Sequence, residues 1–223
     1  MSSNKIALVF GATGLVGQKL LKLLLEDERY KIVRVANRKS INYSNTKVDE
    51  VIVDFASLGN HEDSFNADDV FICLGTTIKK AGSKQAFEKV DLEYPAEIAR
   101  LAKKSGVKQL VHISALGANA KSSNFYINTK GRAEEMIWKN GPKNSYAVRP
   151  SMLFGNRNEF RLGEKIGIFL MKNLVFLMQG GLKKYRGIYD AEVAEAMLFI
   201  ANAVPQQKYF DSEELKAIAT RNF

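Results

Sequence analysis

KIALVFGATGLVG, residues 5–17, decides how the rest of the chain is read. Its first six residues form a nearly uninterrupted apolar run, the pattern of a strand covered on both faces. Gly11, Gly14 and Gly17 follow at G-x-x-G-x-x-G spacing, and Leu20, Leu21, Leu24 and Leu25 then repeat as on one face of a helix. A glycine pattern alone is weak. Between a strand and a helix, however, the three glycines serve separate purposes, which are a tight turn, close backbone approach to a pyrophosphate, and close helix–strand packing. The helix start adds free N–H groups and the positive end of a dipole, both suited to phosphate.

Outward from this stretch, strand and helix signals alternate. KIVRVANR (31–38), EVIVDF (50–55), DDVFICLG (68–75), VKQLVHIS (107–114) and NSYAVRP (144–150) read as further strands, the last stopped by Pro150. Residues 83–105 and 128–140 read as helical, and Gly106 suits the position just past a helix end. Strands separated by helices predict parallel βαβ units with right-handed crossovers, and so an α/β, doubly wound parallel sheet with helices on both faces. One domain over 1–223 is expected. It divides into a cofactor-binding core (1–150), a small irregular substrate-side cap (151–189) and C-terminal helices (190–223), with a long helix at 190–203 and a short strand plus helix from about 208.

Composition narrows the function classes. The 223 residues are 46% hydrophobic and 26% charged, ordinary for a globular chain able to bury a core without staples. Cys73 is the single cysteine, so no intrachain disulfide forms, and with only His61 and His112 beside it no soft-ligand metal cluster is expected. Cys73 lies in the apolar VFICL run and reads as core. No signal peptide is recognised at the start, and a reducing cytoplasm is the expected location. The most apolar window, 166–178, holds 13 residues and is interrupted by Lys172 and Asn173, too short to span a membrane. KIGIFLMKNLVFLMQ (165–179) reads as core or pocket wall, with partner or membrane docking as the other reading. The net charge of +9 lies between 121 and 189, where 13 Lys or Arg face 4 Asp or Glu. An anionic ligand, nucleic acid or an acidic membrane surface could exploit this bias, and a solvated lysine-rich surface is the plainer reading. Arg157 and Arg161 could clamp an acidic substrate or be part of that solvated surface, and no motif for specific nucleic-acid binding is present.

Cofactor choice is read at the end of the second strand, where an acidic residue would bind NAD ribose hydroxyls. Ala36-Asn37-Arg38-Lys39 stands there instead, and Arg38 can fork onto a 2′-phosphate, which favours NADP(H). Asp54 and Phe55 close the third strand, where an adenine would lie; Asp54 can accept from the adenine amino group or cap a turn. Leu74, Gly75 and Thr76 close the fourth strand near the expected nicotinamide ribose, either as a ligand contact or as an ordinary turn.

Two tyrosine–lysine pairs share i, i+4 spacing: YSNTK at 43–47 and YINTK at 126–130. Tyr43 and Lys47 fall on the adenosine side. Tyr126 and Lys130 fall just past the fifth strand, twelve residues beyond Ser114. On a helix they share one face. A tyrosine with a free pKa near 10 needs a nearby ammonium to act as a base at neutral pH, and a lowering of ~3 units takes about 4 kcal/mol of differential stabilisation. Ser114 can donate to a substrate oxygen gaining charge while Tyr126 passes the proton. His112, two residues earlier in an apolar strand, reads as a packed, hydrogen-bonded histidine, and Trp138 reads as core.

GATGLVG, the Ser114…YINTK pair and RPSMLFGNR (149–157) together resemble the short-chain dehydrogenase/reductase superfamily, with its NAD(P)-binding Rossmann fold. CLGTT…AG…VD (73–91), followed by HISALGA, KSSNF and YINTKGRAE, is similar more narrowly to its atypical Tat-interacting-protein-like branch. The match covers about residues 5–160 and is poor in the tail. The resemblance implies a triad of Ser114, Tyr126 and Lys130, with Lys130 also holding the nicotinamide ribose. It further implies a pyrophosphate cradle of Gly11, Thr13, Gly14, Leu15, Val16 and Gly17, Arg38 on the 2′-phosphate, and Pro150 to Met152 flanking the nicotinamide. Many family sites have a fourth member, an asparagine in the helix after strand four; none is evident here, and Asp91 lies nearest.

The resulting expectation is an NADP(H)-dependent oxidoreductase acting on a small carbonyl or alcohol. Epimerase-type chemistry through a transient ketone would use the same residues. From a different class, relatives of the atypical branch suggest an NADPH-sensing regulator that works through a protein partner. A monomer or dimer is expected.

Overall fold

The structure, a computed structural model, describes residues 4–155 and 186–221. Strand β1 (Lys5–Phe10) lies at the centre, and Ala7, Leu8, Val9 and Phe10 are fully buried. Its period-2 alternation feeds two cores. Ala7 and Val9 pack with Leu20, Leu21 and Leu24 of helix α1 (Leu15–Glu26) on one face. Leu8 and Phe10 pack on the other face with Phe55, Phe65, Ile98 and Leu101. An apolar run without polar alternation is what such a two-sided strand requires.

The strands β2 (Tyr30–Asn37), β3 (Val48–Ile52), β4 (Asp69–Ile72), β5 (Gln109–Ile113), β6 (Asn144–Arg149) and β9 (Tyr209–Asp211) join β1 in one sheet, ordered β3-β2-β1-β4-β5-β6-β9. Every pairing is parallel. The order reverses between β1 and β4, so the crevice at their carboxyl ends is the place where such sheets hold ligands. β7 (Leu153–Phe154) and β8 (Ile188–Tyr189) form a separate parallel pair that the sequence reading lacked. The remainder of the expected cap, including Arg157, Arg161 and 165–179, lies outside the described residues.

Three element boundaries differ from expectation. The third strand runs 48–52 rather than 50–55, because Asp54 caps a 3-10 turn instead, accepting from the Ala56 N–H at 2.9 Å. The helical region 83–105 is preceded by a short helix α2 (Ile78–Ala81) and contains a widened turn: α3 (Lys84–Glu88), a π segment (Lys89–Glu93) and α4 (Tyr94–Lys104). Helix α5 (Phe125–Asn140) starts three residues before the expected 128, because the Asn124 side chain accepts from the Ile127 N–H and caps it. Trp138 is half-buried on this helix rather than core, and its indole N–H is unpartnered among the described residues. The tail is as read: α6 (Asp190–Ala203), β9 and α7 (Ser212–Ala219). None of the described helices is long and apolar enough to cross a membrane.

Candidate functional site

The glycine loop is built as its spacing requires. Gly11 has φ +83°, and a side chain there would meet the Cys73 carbonyl at 2.7 Å, so β1 and β4 approach in a way only glycine permits. A Cβ on Gly17 would lie 2.1 Å from the Gly11 oxygen, which fixes how closely α1 packs on the loop. Gly14 is the α1 N-cap; it offers no side-chain cap, and no acidic residue occupies the first turn. The first N–H groups of α1 are thus open at this end, without a cap side chain or a first-turn carboxylate to compete for them. Thr13, Leu15 and Val16 complete this loop at the carboxyl end of β1.

Arg38 follows β2 directly and is exposed at the same sheet edge. Two other expected adenosine contacts do structural work in the fold. Asp54 is an exposed cap, also accepting from the Ser57 hydroxyl at 2.9 Å. Phe55 is a core residue, its ring 6.1 Å from Phe10 and 5.2 Å from Tyr94. Leu74 is partly buried against that core, and Gly75 stands exposed beyond it. Burial pushes the Cys73 thiol up to about 12, which leaves it protonated and inert.

The strand ends then bring the catalytic candidates to this edge. Ser114 follows β5 and is 4% exposed, yet its hydroxyl has no partner among the described residues. A buried hydroxyl without a partner costs about 1–3 kcal/mol, so an incoming acceptor would recover it. The Lys130 ammonium, on α5, reaches the carbonyl of Ile113, the residue before Ser114, at 3.4 Å. Tyr126 lies one turn earlier on α5, 39% exposed, with its ring 5.8 Å from Phe87. The other tyrosine–lysine pair does not form such a group: Tyr43 is exposed, and the Lys47 ammonium donates to the carbonyls of Leu25 and Asp27 at the end of α1.

The sequence puts Asp91 near the site and gives it no role. The structure does. Its carboxylate is 2% exposed, lies 2.7 Å from the Lys130 ammonium and accepts from the Thr76 N–H at 2.9 Å. Burial alone would lower the Lys130 pKa; Asp91, then Tyr126, reverse this, and the net direction is up. Gly131 was missed as well. A Cβ there would sit 2.2 Å from the Ala120 nitrogen, so a glycine at this point lets α5 press onto the 119–120 backbone beside Lys130. Its signal was an isolated glycine inside a helical pattern. Pro150 is buried with its carbonyl accepting from Leu116, and the Met152 carbonyl accepts from Ile188.

His112 is the packed histidine expected. Its Nδ1–H donates to the Tyr146 carbonyl at 3.0 Å and its Nε2 is unpartnered among the described residues. Burial, reinforced by the Lys130 charge, pushes its pKa down to about 3. A depressed folded pKa contributes stability above the unfolded value near 6.5, lost as pH falls toward about 3. Urea unfolding at pH 7 and pH 4 should therefore show wild type losing about 3 kcal/mol more than His112→Asn over that interval. An equal loss in both proteins would place the charge sensitivity elsewhere.

Comparisons with known proteins bear on the whole chain. The model of the NAD dependent epimerase/dehydratase family matches residues 7–210. Protein HTATIP2 of Rattus norvegicus is 34% identical over 165 residues, 72% of this chain and 68% of that protein. Protein FMP52, mitochondrial, of Meyerozyma guilliermondii is 33% identical over 201 residues, 87% of this chain and 84% of that protein. Among solved structures, the Bordetella bronchiseptica enzyme WbmF in complex with NAD+ superposes with a TM-score of 0.67 at 16% identity, covering 99% of this chain and 78% of its own. MoeE5 in complex with UDP-glucose and NAD gives 0.66 at 15%, covering 96% and 81%. At such identities these structures speak for the fold.

Proposed function

Because the chain belongs to the NAD dependent epimerase/dehydratase family, within its atypical short-chain dehydrogenase/reductase kin, we propose that it is an NADP(H)-dependent oxidoreductase acting on a small carbonyl or alcohol. The observation that carries this reading is a convergence at one sheet edge. An open helix N-terminus follows β1, where the strand order reverses. On the same carboxyl edge, a buried lysine and a buried serine hydroxyl that is unpartnered among the described residues stand at the end of β5.

The residues fit a dinucleotide. The Gly11–Gly17 loop and the N–H groups opening α1 would hold the pyrophosphate, and Lys130 the nicotinamide ribose. Leu74, Gly75, Thr76, Pro150 and Met152 supply backbone and apolar surface at the nicotinamide end. When bound, the nicotinamide supplies or accepts the hydride. In the reductive direction the Ser114 hydroxyl donates a hydrogen bond to the substrate oxygen. Tyr126 gives that oxygen its proton, and the Lys130 charge steadies the phenolate left behind. The test is NADPH consumption against a panel of aldehydes, ketones and quinones. Stoichiometric NADPH binding without turnover of any of them would favour the cofactor-sensing regulator instead.

Preference for NADP(H) rests on Arg38 and on the lack of a carboxylate at the end of β2. Glu50 on β3 is engaged with the Ser40 hydroxyl and the Ile41 N–H. Arg38→Ala should weaken NADPH binding about 10- to 100-fold, the worth of a charge-assisted fork, and leave NADH within about twofold. Fluorescence titration with both cofactors checks it; equal losses would remove Arg38 from the phosphate site. The proposal keeps the cytoplasm as its location, although the FMP52 relatives are mitochondrial by name, and fractionation of the tagged protein decides between them.

A further inference from the structure

Asp91 sits where three pieces of the site meet. The π segment Lys89–Glu93 widens the helical path, and π turns often aim a side chain into a functional site. From there the carboxylate reaches Thr76 after β4 and Lys130 on α5, and Lys130 in turn reaches Ile113 at the end of β5. A Cβ on Gly75 would lie 3.7 Å from Asp91 Oδ1, so the β4 loop packs directly on this carboxylate. Among the described residues Oδ1 receives no well-directed hydrogen bond, so the 2.7 Å approach to Lys130 is a charge contact in a buried setting. Breaking such a pair leaves an uncompensated buried charge, a costly change.

We infer that Asp91 is a positioning residue: its carboxylate holds the Lys130 ammonium against the floor of the site and offsets the field that this charge exerts on Tyr126. The inference rests on the proposed oxidoreductase reading for its consequence, but the ion pair is testable without turnover. An asparagine at this place would hold the same backbone contact and leave the field of the protonated Lys130 unopposed. An aspartate keeps the ammonium tethered and weakens that field, which moves the working pH of the tyrosine upward.

Several charges near the pair have partners of their own. On α5, Glu134 is paired with Arg149 of β6, and Arg132 with Glu88 of α3. Lys84 of α3 lies over the Phe125 ring at 5.1 Å. His112 of β5 is held neutral by its burial. Asp91 is thus the carboxylate that Lys130 touches among the described residues.

Amine acetylation of the apo protein, followed residue by residue by mass spectrometry, reads the tether directly. In Asp91→Asn the Lys130 amine should acetylate at least tenfold faster at a fixed pH, with the exposed Lys104 and Lys108 unchanged as controls for folding. The alkaline limb of the kcat/KM profile for carbonyl reduction should move to lower pH by about one unit, and Asp91→Glu should restore much of both. Unchanged Lys130 labelling in Asp91→Asn overturns the inference. Faster labelling with no turnover in either protein supports the tether and counts against the oxidoreductase reading alone. An activity profile that stays in place while labelling rises overturns the claim that Asp91 tunes the site. Should the asparagine variant fail to fold, the labelling of wild type against pH suffices. Lys130 should show a midpoint above that of the exposed lysines, and one at or below theirs overturns the inference.

Discussion

Tyr126→Phe should lower kcat for carbonyl reduction by about a thousandfold, within the range a positioned proton donor contributes, while NADPH still binds within about twofold of wild type. The two halves of this expectation come from different features. The phenol ring packs against Phe87, and phenylalanine keeps that contact, so α5 and its lysine stay in place. The hydroxyl is engaged by no partner among the described residues, so its removal orphans nothing and should alter unfolding free energy by under about 0.5 kcal/mol. The loss then falls on the proton transfer itself. Lys130 and Ser114 remain, one to hold charge and one to donate, but neither can deliver a proton to the substrate oxygen from Tyr126's position on the first turn of α5. Tyr43→Phe is the matched control and should be indistinguishable from wild type, since Tyr43 is exposed and its Lys47 partner in spacing is engaged with the Leu25 and Asp27 carbonyls. Stopped-flow hydride transfer on both variants makes the measurement. A Tyr126→Phe protein with full activity would remove YINTK from the chemistry.

How much of this was readable without coordinates follows from how local each signal is. The strand–glycine loop–helix opening is local: apolar run, glycine spacing and leucine face are all contiguous, and the sheet that grows from them obeys topological rules that need only element order. The final strand, Tyr209–Asp211, was readable as part of the tail, but its pairing beside β6 depends on contacts far from it in sequence. Asp54 and Phe55 show the opposite case. Their position after a strand suits an adenine contact, and nothing in the string DFAS distinguishes that from a cap and a core ring. The decision lies in whether Phe10 and Tyr94 arrive beside Phe55, which is tertiary. Asp91 was named only for its place in the chain. That its side chain turns inward depends on the π segment, and a one-residue change of helical phase leaves no compositional trace. Gly131 did leave a trace, an unexplained glycine in mid-helix, whose meaning became clear once the 119–120 backbone was found against it.

The glycine loop yields the second large effect, and it separates packing from binding. Gly17→Ala places a methyl group 2.1 Å from the Gly11 carbonyl oxygen and 3.0 Å from the Ala12 Cα, both backbone atoms that no rotamer change can move aside. Helix α1 must lift from β1, where Val16, Leu20 and Leu21 are packed into the core. Overpacking of this kind costs roughly 1–3 kcal/mol, and the displaced helix start no longer presents its N–H groups to phosphate, so NADPH affinity should fall by at least a hundredfold. Gly14→Ala makes the contrast. Gly14 has φ −76° and ψ 172°, a conformation alanine adopts freely, and its Cβ would come no nearer than 3.2 Å to the Gly11 oxygen. That variant should fold within about 1 kcal/mol of wild type, as a compatible glycine replacement does. Its methyl group nevertheless stands at the N-cap, where the pyrophosphate must come close to the backbone, so NADPH affinity should still drop at least tenfold. Urea unfolding and cofactor titration on the two variants give four numbers. If stability and affinity fall together in both, the loop is only a packing element; if Gly14→Ala keeps its stability and loses NADPH, the open end of α1 is the phosphate site.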